Sequence, residues 1–227
     1  MTTAAVPSPA PAADGTVVRQ LTGVARTAAR RMVAAWEAPV FHLGVDVDMT
    51  AALAAKGGGV TVSDLIVRAT ARALAEHPDV NATYADEAVT VHPAVNVGLA
   101  VDTPKGLMVP VIHGADALDL PGIAAARRDI VERAHGAALK MADISDGTFT
   151  VSNLGMLGID AFDAILNVPQ VAILAVGTTR TMPVQRNGEL AWVPMARFTL
   201  TCDHRALDGA MGARFLGTLR GELETSA

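Results

Sequence analysis

Residues 199–216 read TLTCDHRALDGAMGARFL. The strand-like run Phe198–Cys202 stops abruptly at Asp203-His204-Arg205; Asp208 and Gly209 follow, and a helical spacing of apolar residues begins. A strand end holds a side chain more firmly than a loop does, and imidazole is the side chain whose ordinary pKa suits proton transfer near neutrality. His204 is therefore a candidate general base. Asp208, at the mouth of the following helix, suits the positive helix end or a guanidinium partner. A capped strand-to-helix junction with a solvated histidine would contain the same residues, so the rest of the chain has to decide.

Upstream, VFHLGVDVDM places Phe41, Leu43, Val45, Val47 and Met49 on one face of a strand. Before it, Thr22 to Trp36 has helical spacing closed by Pro39. A short helix over Thr50–Lys56 ends at Gly57-Gly58-Gly59. TVSDLIVRATARALAEHPDV reads as a helix capped by Ser63 and stopped by Pro78. NVGLAVDTPKGLMVPVI reads as a hairpin turning at Pro104 and Gly106. A helix over Leu120–Lys140 precedes the strands TFTVSNL and VAILAVGTT, short strands around Asn187-Gly188, and ARFTLTCD; a last helix covers Leu207–Glu224. Helices and strands interleave, which predicts an α/β fold with a mixed β-sheet packed by helices.

Composition narrows the function. With 227 residues, 51% hydrophobic, the chain has ample material for a core. Its 18 basic and 23 acidic residues give a net charge of −5, unsuited to a nucleic-acid or polyanionic membrane surface. Neither a secretory signal nor a spanning segment is expected. Cys202 is the only cysteine, so an intrachain disulfide is impossible and a cytoplasmic location is expected. The Ala/Pro-rich residues 1–15 read as a flexible tail, and 16–227 as the catalytic domain.

Ser152, in GTFTVSNLGMLGID, stands where a strand yields to a glycine-bearing turn; a hydroxyl there can donate to a developing oxyanion or simply bond neighbouring backbone. No G-x-S-x-G elbow surrounds it, so a serine nucleophile is disfavoured. Cys202 reads as a small core residue. NLGMLG lacks dinucleotide-fingerprint spacing. His42, His77, His92, His113 and His135 lack metal-ligand spacing, and no metal site is expected.

Taken together, RTAARRM, PVFHLGVDVDM, TVSDLIVRATARALAEHPDVNATY, VNVGLAVDTPKGLMVPVI, GTFTVSNLGMLGIDAFDAILNVPQVAILAVG and DHRALDGA resemble the catalytic domain of the dihydrolipoamide acyltransferases, the E2 components of 2-oxo acid dehydrogenase complexes. Chloramphenicol acetyltransferase shares that fold. The resemblance implies that His204 is the general base, that Ser152 stabilises the tetrahedral intermediate, and that Asp208 ties down local structure through an arginine, with Arg30 or Arg31 as partner. It implies coenzyme A as co-substrate, and a homotrimer or assembly of trimers with active sites between subunits.

Two departures shape the expected acceptor. The family's Pro-His-Phe is Pro39-Val40-Phe41 here, and fifteen tail residues leave room for neither a lipoyl domain nor a subunit-binding domain. Lys105 lacks a lipoyl-type context. These features suggest a free-standing enzyme that acetylates a small-molecule hydroxyl, such as a tetronate in a polyketide pathway. The alternative is the core of a 2-oxo acid dehydrogenase E2, acting on dihydrolipoamide.

Overall fold

The computed structural model describes residues 14–225 apart from 19 and 22, so most of the expected tail lies outside the described residues. In chain order the elements are α1 (Gly23–Trp36), β1 (Val40–Asp48), α2 (Thr50–Ala54), α3 (Val62–Glu76), β2 (Ala82–Ala85), β3 (Ala88–Val91), β4 (Val97–Leu99), β5 (Val101–Thr103), β6 (Gly106–Met108), β7 (Val111–Ile112), α4 (Leu120–His135), β8 (Phe149–Asn153), β9 (Ala172–Val176), β10 (Arg180–Arg186), β11 (Glu189–Asp203) and α5 (Gly209–Glu224).

The sheet is mixed, as its sequence predicts. β1, β11, β9, β8, β4 and β7 lie side by side in that order, with β10 paired to β11. β8 runs parallel to both β4 and β9, while the remaining pairs are antiparallel. The pairs β2–β3 and β5–β6 form separate two-stranded hairpins.

Several local expectations change. The cap of α3 is Thr61 instead of Ser63: the Asp64 carboxylate reaches back to the Thr61 backbone N–H at 2.7 Å, closing a capping box. Asp64 also accepts Arg127 Nε of α4 at 2.5 Å, so one carboxylate caps a helix and ties it to the next. The single hairpin expected over 95–112 is divided. The Leu99 N–H bonds to Pro110 O, but Pro110 has no N–H to extend the ladder, so β5 and β6 fold off as a separate hairpin. The short strand expected after Asn187-Gly188 is continuous with ARFTLTCD, giving the 15-residue β11.

Pleating gives the sheet two unlike faces. Register puts Phe41 beside Cys202, Leu43 beside Leu200 and Val45 beside Phe198 on the helix-covered face. There Phe149, Phe198 and Phe215 are fully buried, each contributing roughly 1.5–3 kcal/mol by leaving water. A Cβ on Gly212 would lie 2.7 Å from Leu43 Cδ1, so α5 rests close on the strands. The opposite face carries His42, Thr201, Thr199, Thr150 and Ser152, with a smaller apolar cluster of Ala35, Ala38, Ala164, Leu166, Ile173 and Ala175.

Candidate active site

His204 is the first residue past β11 and is exposed. Its turn is held on several sides. Its N–H donates to Pro39 O at 2.8 Å, its ring meets Phe41 with centroids 4.7 Å apart, and the preceding Asp203 N–H donates to Val171 O at 2.9 Å. An exposed imidazole on a fixed backbone has the attributes of a general base.

Ser152 lies in the sheet's middle, on β8, opposite Ala175. No hydrogen bond of its hydroxyl is found among the described residues, so the local backbone does not consume it as a turn serine's would be. The turn after it is compact: Asn153 Oδ1 accepts the Gly155 N–H at 2.9 Å. A Cβ on Gly155 would fall 2.6 Å from Gly177 O, and one on Gly177 would fall 2.0 Å from Asp160 O. Glycines at these positions let the chain close behind Ser152.

The sheet brings His204 and Ser152 into one layer but keeps them apart. Ser152 is opposite Ala175, and Ala175 is opposite Thr199. That is two strand spacings of about 4.8 Å, and His204 lies five residues further along at about 3.3 Å each. The separation is roughly 15–20 Å, beyond the joint reach of the two side chains.

Among the described residues Asp208 anchors no arginine. Its carboxylate caps α5, accepting the Met211 N–H at 2.8 Å, and no ion pair to Asp208 is found among the described residues. Arg30 and Arg31 are exposed on α1. The local carboxylate–arginine pair is instead Asp203 with Arg205, which sequence reading left without a role. The i, i+2 charge pair flanking His204 was the available signal.

Cys202 is buried among core residues, and burial pushes its thiol up to about 12. Four of the scattered histidines have polar partners: His42 Nδ1 meets Thr201 Oγ1 at 2.9 Å, His77 meets Thr218, His92 meets Thr83, and His113 meets Ala142 O. His135 lies in the last turn of α4. No group of three or more potential metal ligands occurs among the described residues, and no described helix is long and apolar enough to cross a membrane.

Two concavities flank the sheet. One of about 370 Å³, lined by Trp36, Val40, His42, Asp163, Ile165 and Thr201, adjoins the strand end that leads to His204. Another of about 490 Å³ lies toward the other end and includes the pairs Arg197–Asp46 and Arg180–Asp160.

The family described as 2-oxoacid dehydrogenases acyltransferase (catalytic domain) matches residues 13–227. The dihydrolipoyllysine-residue acetyltransferase component of the mitochondrial pyruvate dehydrogenase complex of Schizosaccharomyces pombe is 40% identical over 198 residues, 82% of this chain and 41% of that protein. Its Dictyostelium discoideum counterpart is 40% identical over 168 residues, 73% of this chain and 26% of that protein. The chain thus spans well under half the length of these curated relatives.

Among solved structures, a probable dihydrolipoamide acetyltransferase from Listeria monocytogenes superposes with a TM-score of 0.91 at 31% identity, covering 95% of this chain and 97% of that one. The cubic core of a pyruvate dehydrogenase multienzyme complex gives 0.88 at 31%, covering 97% and 98%. Azotobacter vinelandii dihydrolipoamide acetyltransferase, studied for the role of a serine, a histidine and an asparagine in its catalytic mechanism, gives 0.88 at 30%, covering 97% and 98%. Chloramphenicol acetyltransferase, at 14% identity and a TM-score of 0.55, covering 86% and 94%, shares the fold alone.

These likenesses overturn one expectation. The polyketide-pathway enzyme acetylating a small hydroxyl finds no counterpart in these relatives, which carry the names of pyruvate dehydrogenase acetyltransferases. The tail length and the valine at position 40 were a poor guide to the acceptor, since the relatives that match over most of this chain carry the names of pyruvate dehydrogenase acetyltransferases.

Proposed function

We infer the function from one premise: the chain belongs to the family of 2-oxoacid dehydrogenase acyltransferase catalytic domains. It transfers an acetyl group between coenzyme A and the thiol of dihydrolipoamide, as the catalytic core of a pyruvate dehydrogenase type of complex. The observation that carries this reading is a shared spacing. The serine, histidine and asparagine studied in the Azotobacter vinelandii enzyme lie at the same sequence intervals as Ser152, His204 and Asp208 here. The third position differs, with a carboxylate in place of an amide.

The chemistry needs no covalent enzyme intermediate. His204 takes the proton from the acceptor thiol, and the resulting thiolate attacks the thioester carbonyl. Ser152 Oγ donates to the developing oxyanion. Collapse of the tetrahedral intermediate expels the coenzyme A thiolate, which recovers the proton from His204. Coenzyme A is held as co-substrate, with no metal involved.

Because one chain keeps His204 and Ser152 roughly 15–20 Å apart, the working site pairs His204 of one subunit with Ser152 of a neighbour. Exposed apolar side chains support assembly: Trp36 is 83% exposed, Met156 76% and Leu157 71%. Closed symmetry with a head-to-tail interface fits a trimer, and the likeness to a cubic core supports further assembly of trimers.

The test offers purified protein acetyl-CoA with dihydrolipoamide, following free coenzyme A and S-acetyldihydrolipoamide by mass spectrometry. Stoichiometric formation of both is expected. Absence of acetylated acceptor under conditions where the assembly is intact would overturn the assignment.

A further inference from the structure

Arg205 directly follows the base assigned above, yet its guanidinium turns back onto the strand end. Arg205 Nε lies 2.9 and 3.1 Å from the two Asp203 carboxylate oxygens, and its terminal NH2 lies 2.6 Å from Oδ2. The Arg205 backbone N–H donates to Asp203 Oδ1 at 3.0 Å. Asp203 is 2% exposed, so this carboxylate is buried and Arg205 supplies the charge opposite it. The guanidinium carbon lies 4.1 Å from the centre of the Tyr84 ring. Tyr84 belongs to β2, and its N–H donates to Pro169 O at 2.8 Å.

The two residues on either side of His204 are therefore locked to each other, and the lock is fastened to a separate hairpin. Nothing in this arrangement requires Arg205 to touch substrate. A lysine would keep the charge but lose the planar fork and the stacking on Tyr84. We propose that Arg205 is a positioning residue: with Asp203 and Tyr84 it clamps the turn that carries His204 and so sets the direction of the imidazole. This rests on the reading of His204 as the base. Misplacing a catalytic group by about 1 Å is enough to cost about a hundredfold in rate.

The test compares wild type, Arg205→Lys, Arg205→Ala and Tyr84→Leu as intact assemblies. It uses acetyl transfer from acetyl-CoA to dihydrolipoamide, melting temperature, and the rate at which diethylpyrocarbonate modifies His204, quantified by peptide mass spectrometry. Arg205→Lys is expected to lower kcat by about ten- to a hundredfold. Its KM for acetyl-CoA should stay within about twofold, because the clamp acts on the reacting group and not on uniform binding. The His204 modification rate should change at least about threefold as the ring is released. Methylguanidinium added to Arg205→Ala should restore part of both kcat and the wild-type modification rate.

An unchanged kcat and unchanged His204 modification rate in Arg205→Lys would reduce the clamp to a surface pair and overturn the proposal. A raised KM for acetyl-CoA at constant kcat would make Arg205 a substrate-binding residue, which also overturns it. If Arg205→Ala fails to fold, Arg205→Lys and Tyr84→Leu still decide. If wild type transfers no acetyl group, the functional assignment falls, while the modification rates decide the clamp independently.

Discussion

The ring of His204 lies against that of Phe41, with centroids 4.7 Å apart and planes tilted by 52°. Phe41 sits on β1 and His204 just past β11, so the base rests on the strand pair that closes the sheet. His204→Ala should lower kcat/KM by about two to four orders of magnitude with the fold retained, since it removes a base and little buried volume. Steady-state assays with circular dichroism check this, and turnover within about tenfold of wild type would remove His204 from the mechanism.

Ser152→Ala should lower kcat by about two to three orders of magnitude with KM nearly constant, because an oxyanion donor acts mainly in the transition state. A rise in KM alone would make the serine a binding residue. Co-refolding Ser152→Ala with His204→Ala should return up to about a quarter of wild-type sites in a one-to-one mixture, if each site takes one residue from each of two chains. Native mass spectrometry verifies mixing; mixed trimers without recovered activity would place both residues within one chain's site.

Asp208 acts as a helix cap, and its substitutions should sort accordingly. Asparagine caps as well as aspartate, so Asp208→Asn should leave melting temperature and kcat close to wild type. Asp208→Ala should cost about 0.5–2 kcal/mol, from the lost bond to the Met211 N–H. Thermal melts and chemical denaturation measure both. A larger loss in Asp208→Asn than in Asp208→Ala would show that the charge, and not the cap, matters.

Cys202 should be silent in the folded protein. Burial holds its thiol at about 12, so at pH 8 it stays protonated and shielded, and a disulfide exchange reagent should label it only after denaturation. The same burial makes a signed prediction. The unfolded thiol, with an ordinary pKa of about 8.5, releases its proton first as pH rises. Stability contributed by the protonated thiol is complete below that value and declines toward about 12. Cys202→Ala should flatten this part of the pH–stability curve; an identical alkaline decline in the variant would assign it to other groups.

Much of the scaffold was legible because its signals are local. Alternation in VFHLGVDVDM fixed β1 and its buried side, and the spacing around Leu65, Ala69 and Ala73 fixed α3. Pro78 correctly marked the helix end, which falls two residues earlier, at Glu76. Long-range pairing is what escaped. The division of 95–112 depends on which strand β4 meets, and the length of β11 depends on β1 and β10 lying beside it. At the site, His204, Ser152 and Asp208 stood out by type and position. The partner of Asp208 did not, because a cap and an ion pair draw on the same residue. The link from Arg205 to Tyr84 crosses more than a hundred residues of sequence, and no local pattern announces it.

The pairing of β1 with β11 joins residues 40–48 to residues 195–203. A chain leaving the ribosome therefore holds β1 without this neighbour until residues 195–203 have been made. The strands between them, β4 and β7 to β9, have partners nearer in sequence and can associate earlier. Closing so large a loop makes the last pairing slow, in the range of about milliseconds to seconds typical of non-local β topologies. For that interval β1 presents an open apolar edge to other nascent chains. The step that completes the sheet also forms the turn bearing His204, so a kinetic defect in maturation and a loss of the base would arise together from damage to the same two strands.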